Sequence, residues 1–176
     1  VRREMCVKYE LDNFEFSQSY LFFWDKLERM NYNLECIIKT KDESMNSRLV
    51  QHLLDDPTCD GGQWDMWVNL INKYGVVPKS EMPETYQSSQ SMRMNRMITR
   101  KLREFAKELR YLIKNNINNE DLYELKNQMI STVYKMLVIH LGEPPNNFNW
   151  QTRDKKKNFM RFEDLTPQSF FKDHVS

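Results

Sequence analysis

Apolar positions along the chain fall mostly at helical spacing, and each run is bounded by residues that start or stop helices. Val1 to Leu11 is the exception: Met5, Val7, Tyr9 and Leu11 fit the tail of a helix or a short alternating strand equally well. Ser17 is then a good N-cap, and Leu21, Trp24, Leu27, Leu34 and Ile38 share one face of a long helix whose first turns are crowded with aromatics. Polar residues 39–46 read as a loop. Ser47 caps a short helix carrying Leu49, Val50, Leu53 and Leu54, which Asp55-Asp56-Pro57 ends. Trp64, Trp67, Val68 and Ile71 form the stripe of the next helix, closed by Lys73 and Gly75.

Val76-Val77-Pro78 is extended, and residues 80–91, rich in Ser and Pro, read as a connector and subdomain boundary. Beyond it, Met94, Met97, Ile98, Leu102, Phe105, Leu109, Leu112 and Ile113 make a long amphipathic helix with a basic outer face. Asn118 caps a second helix running through Leu122, Met129, Val133, Leu137 and Leu141 to Gly142 and Pro144-Pro145, so the two form a helical hairpin. From Phe148 to Phe162 the period changes to two around a Lys-rich turn, which predicts a β-hairpin, and Thr166-Pro167 opens a last helix.

Composition narrows the classes of function. Twenty-six basic and 25 acidic residues nearly cancel, so no global field draws the protein to nucleic acid or an anionic membrane. No apolar run approaches membrane-spanning length. Cys6, Cys36 and Cys59 lack metal-ligand spacing and suit free thiols in a reducing, intracellular compartment. Neither a phosphate loop nor a nucleophile elbow occurs, and the acid pairs Asp55-Asp56 and Glu120-Asp121 sit where helix ends recruit acids.

Chemistry concentrates at Asp60-Gly61-Gly62-Gln63-Trp64, where two of the four glycines stand side by side. A Gly pair admits two readings. One is a tight turn before a helix. The other is an open backbone ledge on which an extended ligand lies, with Trp64 walling a neighbouring pocket.

Phe14 to Arg29, Asp60 to Met66 and Lys73 to Lys79 closely resemble the bleomycin hydrolase or aminopeptidase C branch of the papain-like cysteine peptidases. The likeness continues through Arg93-Met94-Asn95, Lys101 to Glu104, Leu141 to Pro145, Trp150 and Arg153-Asp154-Lys155. It implies an α+β, predominantly helical segment: the helical part of a papain-like fold, with a helical-hairpin insertion and a β-hairpin. Residues 1–80 would be the helical subdomain with the ledge, 81–146 an insertion used in assembly, and 147–176 the hairpin and the start of a following helix.

The resemblance further implies a cytoplasmic aminopeptidase acting on peptides by a Cys-His-Asn mechanism without a cofactor, assembled as a homohexamer. The nucleophile would lie upstream of Val1 and its His and Asn partners beyond Ser176. Cys6, Cys36, Cys59, His140 and His174 match none of the three. What carries over is substrate binding. Gly62 would offer backbone hydrogen bonds to the residue next to the scissile one, Asp60 and Gly61 would shape that wall, and Trp64 and Gln63 would border the side-chain pocket. Such a segment should expose apolar surface around Trp24, Trp64 and Trp67. Some members of the family bind nucleic acid, and here Arg96, Arg100 and Arg103 are the candidates for that contact.

Overall fold

The computed structural model of the chain describes residues 2–59 and 61–175. Helix α1, Arg2–Lys8, settles the open N-terminal segment as helical. It stops at Glu10, whose φ of 50° turns the chain away. Helix α2, Gln18–Lys39, is the axis of the fold. Ser17 caps it by accepting from the Tyr20 amide at 3.0 Å, and its own hydroxyl donates to the Met82 carbonyl at 2.5 Å. That one side chain starts the helix and fixes the connector.

Helix α3, Arg48–Asp55, is capped by Ser47, and α4, Trp64–Tyr74, ends at Gly75. Gly75 has a φ of 74°, and a Cβ there would come within 2.2 Å of the Pro167 backbone, so both conformation and packing require glycine. The extended residues after it pair with the entry to α2: the Ser17 amide donates to Val77 and the Lys79 amide to Glu15, each at 2.9 Å. The connector holds a short helix, α5, Tyr86–Ser89, closed by a Thr85–Ser88 capping box.

Helices α6, Met92–Lys114, and α7, Asn119–Leu141, form the expected hairpin, and both pack on α2. One continuous core results, in which Phe23, Met30, Leu34 and Ile37 of α2 join Ile98, Leu102 and Leu109 of α6 and Val133 and Leu137 of α7. A cation lies within it. Lys126 of α7 is buried and paired with Glu35 of α2, a cross-helix ion pair invisible to an apolar pattern.

Strands β1, Phe148–Arg153, and β2, Phe159–Leu165, make the antiparallel hairpin, with an irregularity between Phe148 and Trp150. Its Lys-rich tip is exposed and closed by Asp154 and Asn158. Trp150 packs among Tyr9, Phe14, Phe162 and Phe170, which joins the hairpin to the start of the chain. Helix α8, Pro167–Phe170, capped by Thr166, runs into a wider turn, Phe171–Val175. Among the described residues no helix is long and apolar enough to cross a membrane.

Candidate functional site

Two cations, one buried and one exposed, fasten the segment between α3 and α4 to the bundle. Lys26 of α2, fully buried, donates to the Thr58 carbonyl at 2.5 Å, and Thr58 meets Thr99 of α6 hydroxyl to hydroxyl at 3.2 Å. Arg103 of α6 donates to the carbonyls of Leu54 and Asp55 at 2.8 and 2.9 Å, satisfying groups that the end of α3 leaves unpaired. Arg103, a candidate for nucleic-acid contact, is thus occupied in holding this turn.

From that anchored turn the chain passes to Gly61 and Gly62, both exposed. A Cβ on Gly61 would meet nothing within 4 Å, so that face is open. A Cβ on Gly62 would come 3.2 Å from Nη2 of Arg29. Gln63 follows with extended angles and begins α4 by accepting from the Met66 and Trp67 amides at 3.1 and 3.4 Å. Gly62, Gln63 and Trp64 line one open groove of about 460 Å³, together with Leu21, Phe22 and Trp67. Gly61 lies beside this lining, and Asp60 falls outside the described residues.

The indole of Trp64 is 70% exposed, with its ring centroid 4.7 Å from that of Trp67, and the pair forms an apolar wall at the mouth of the groove. Trp24 differs. It is half-buried and stacked on Tyr74 at 4.0 Å, so it belongs to the packing between α2 and α4 and adds no open surface at the ledge. Tyr74 is itself fixed by donating to Glu28, which also pairs with Lys73. Burial raises the Tyr74 phenol to about 12, helped by the carboxylate. Burial disfavours the Glu28 charge, but hydrogen bonds from Lys73 and Tyr74 outweigh it and hold the carboxyl below its ordinary value.

Arg29 is a charged side chain beside the ledge that the apolar pattern conceals. Its Nε is 2.7 Å from Oδ2 of Asp25, one turn earlier on α2, and its Nη1 donates to Sγ of Cys59 at 3.8 Å. The hydrogen bond to Asp25 raises its pKa further. The i, i+4 spacing of an acid before a base was the available signal. Asp25 and Arg29 line the ledge groove and also a second groove, of about 590 Å³, between α2, α3 and α4, which includes Cys59 and His52.

The remaining histidines have local roles. His140 Nδ1 lies 2.7 Å from the carbonyl of Met136 on its own helix. His174 Nδ1 is 2.6 Å from the Tyr9 hydroxyl among the aromatics of the hairpin, where burial and nearby Lys8 lower its pKa. Cys6 and Cys36 are half-buried, and Cys59 is exposed. Among the described residues no three His, Cys, Asp or Glu side chains stand together as a metal site.

Comparison with known proteins gives the family and the fold. The chain is 46% identical to the bleomycin hydrolase of Gallus gallus over 177 residues, covering 99% of this chain and 39% of that protein. It is 49% identical to the aminopeptidase C of Listeria innocua over 165 residues, covering 94% and 37% respectively. The crystal structure of PepW from Lactobacillus rhamnosis superimposes with a TM-score of 0.95 at 45% identity, over 99% of this chain and 39% of that one. The chain therefore spans well under half the length of each of these three relatives, and it carries the predominantly helical α+β part of a papain-like peptidase fold. Matched over residues 1–176 by the family's model, the chain belongs to the Peptidase C1-like family.

Proposed function

We propose that this chain is the substrate-wall and assembly segment of a cysteine-type aminopeptidase of the bleomycin hydrolase kind. The nucleophilic Cys and its His and Asn partners come from the rest of the full-length protein. There a thiolate, paired with the imidazolium, attacks the amide carbonyl of a peptide near its N-terminus; the C–N bond breaks as the imidazolium protonates the departing amine, and water then hydrolyses the thioester, releasing the N-terminal acid and restoring the thiol. This chain supplies the surface against which the peptide lies. Gly62 offers its backbone to the residue next to the scissile one, and Gln63 and Trp64 border the pocket for its side chain. Residues 81–146 supply the contact for a homohexamer in the cytoplasm.

The observation that carries this reading is the open face at Gly61 beside the groove that Gly62, Gln63 and Trp64 share. A turn whose only task was to start α4 would not need an unobstructed backbone edge next to an apolar pocket. The test is hydrolysis of a fluorogenic aminoacyl amide by the full-length protein. Turnover abolished by a thiol-directed epoxide, with one label per chain, supports the proposal. A folded full-length protein without turnover or labelling contradicts it and favours a non-catalytic scaffold built on the same fold.

A further inference from the structure

The ledge belongs to no strand, and the helix it leads into has no side-chain cap, since Gln63 makes none. Its height above the groove must be set from elsewhere. Arg29 stands where that support is needed. Its guanidinium meets the loop at Sγ of Cys59, 3.8 Å from Nη1, and its Nη2 stands 3.2 Å from where a Cβ on Gly62 would lie. The third edge of the fork is held by Asp25 at 2.7 Å, and the two side chains are only 14% and 20% exposed. Asp25 and Arg29, together with Met66 and Leu70, line both the ledge groove and the groove of Cys59 and His52.

We propose that Arg29, oriented by Asp25, is a positioning residue that fixes the Gly61-Gly62 edge at the height an extended peptide requires. Gly62 is then glycine because of the guanidinium behind it as well as the ligand in front. The inference rests on the reading of this edge as a substrate wall. Three physical points support it. A cation beside the N-terminus of α4 opposes the helix dipole, an unfavourable placement that Asp25 offsets by neutralising it locally. A planar fork addresses three directions at once, which a lysine cannot do. The two glycines also face different ways, Gly61 toward open space and Gly62 toward Arg29, so one position senses the ligand side and the other the support.

Steady-state hydrolysis of a fluorogenic aminoacyl amide by the full-length protein separates these roles. Arg29→Ala is expected to raise KM about tenfold while kcat stays within about twofold, the pattern of lost uniform binding. Asp25→Asn should raise KM by less, and Arg29→Lys should recover part of the loss. Gly62→Ala pushes on the guanidinium, so its effect and that of Arg29→Ala should combine to less than their product. Gly61→Val tests the wall itself without touching Arg29.

If Gly61→Val raises KM and Arg29→Ala leaves KM unchanged while lowering only the unfolding midpoint, Arg29 is structural and the inference is overturned. Independent, multiplying effects at 62 and 29 overturn it too. If Gly61→Val leaves KM unchanged, the substrate-wall reading fails, and the positioning role with it. Should Arg29→Ala not fold, Asp25→Asn decides: an unchanged KM in that variant overturns the proposal.

Discussion

The bundle of α2, α6 and α7 and the ledge at 59–64 are neighbours built on opposite terms. In the bundle, Phe23, Ile98, Leu109, Val133 and Leu137 are fully buried, and any one is held by many contacts of similar kind. At the ledge, the described residues 59 and 61–64 are all exposed, and their support comes from single groups, with Lys26 and Arg103 anchoring the turn before them and Arg29 behind them. The bundle tolerates the loss of one contact by degrees. The ledge depends on individual charges placed at particular distances, so under the proposed reading function sits where stability is least invested.

Substitutions in the two regions should therefore separate stability from activity. The largest stability effect is expected in the bundle. Phe23→Ala removes a fully buried ring that meets Trp24 and Tyr134 edge-on, and should destabilise the full-length protein by roughly 3 to 5 kcal/mol in urea unfolding. A loss under about 1 kcal/mol would mean the α2 core is not the structural centre described here.

An intermediate effect is expected where His174 closes the aromatic cluster. Its folded pKa lies below the ordinary 6.5, so its contribution to stability is complete above that value and is lost as pH falls through the folded pKa. His174→Gln should flatten this part of the stability profile between neutral and mildly acid pH. An unchanged profile would remove His174 as the titrating group.

The smallest stability effect belongs to the ledge. Trp64→Ala, at a side chain 70% exposed, should shift stability by no more than about 0.5 kcal/mol while raising KM for hydrolysis. A large loss of stability with unaltered KM would reverse the contrast between the regions.

The same contrast explains what the sequence reveals. Ser17, Ser47, Asn118 and Thr166 cap the helices that their residue types predict, because capping is a local interaction between a side chain and amides two or three residues on. The core faces of α6 and α7 follow from spacing for the same reason. The short α5 was hidden inside a Ser- and Pro-rich connector, since a one-turn helix has no period to detect. Lys26 and Lys126 were hidden more deeply: they occupy buried positions and are satisfied by the Thr58 carbonyl and by Glu35, partners far away in the chain.

At the ledge, the glycine pair and the indole were legible, and the structure brings Gly62, Gln63 and Trp64 to one groove. What could not be read was the difference between Gly61, which faces open space, and Gly62, which faces Arg29 from 33 residues away. Trp24, expected to share the exposed surface, is instead taken up by stacking on Tyr74, a contact set by how α4 crosses α2.

The central claim is that the open backbone edge at Gly61 and Gly62 receives substrate, and the KM of Gly61→Val in the full-length protein tests it most directly. The side chain would stand in space that is open in the structure of this chain, so its own fold should be undisturbed. The account predicts a KM raised by about tenfold or more with an unfolding midpoint near that of the parent protein. An unchanged KM in a fully folded variant would contradict it.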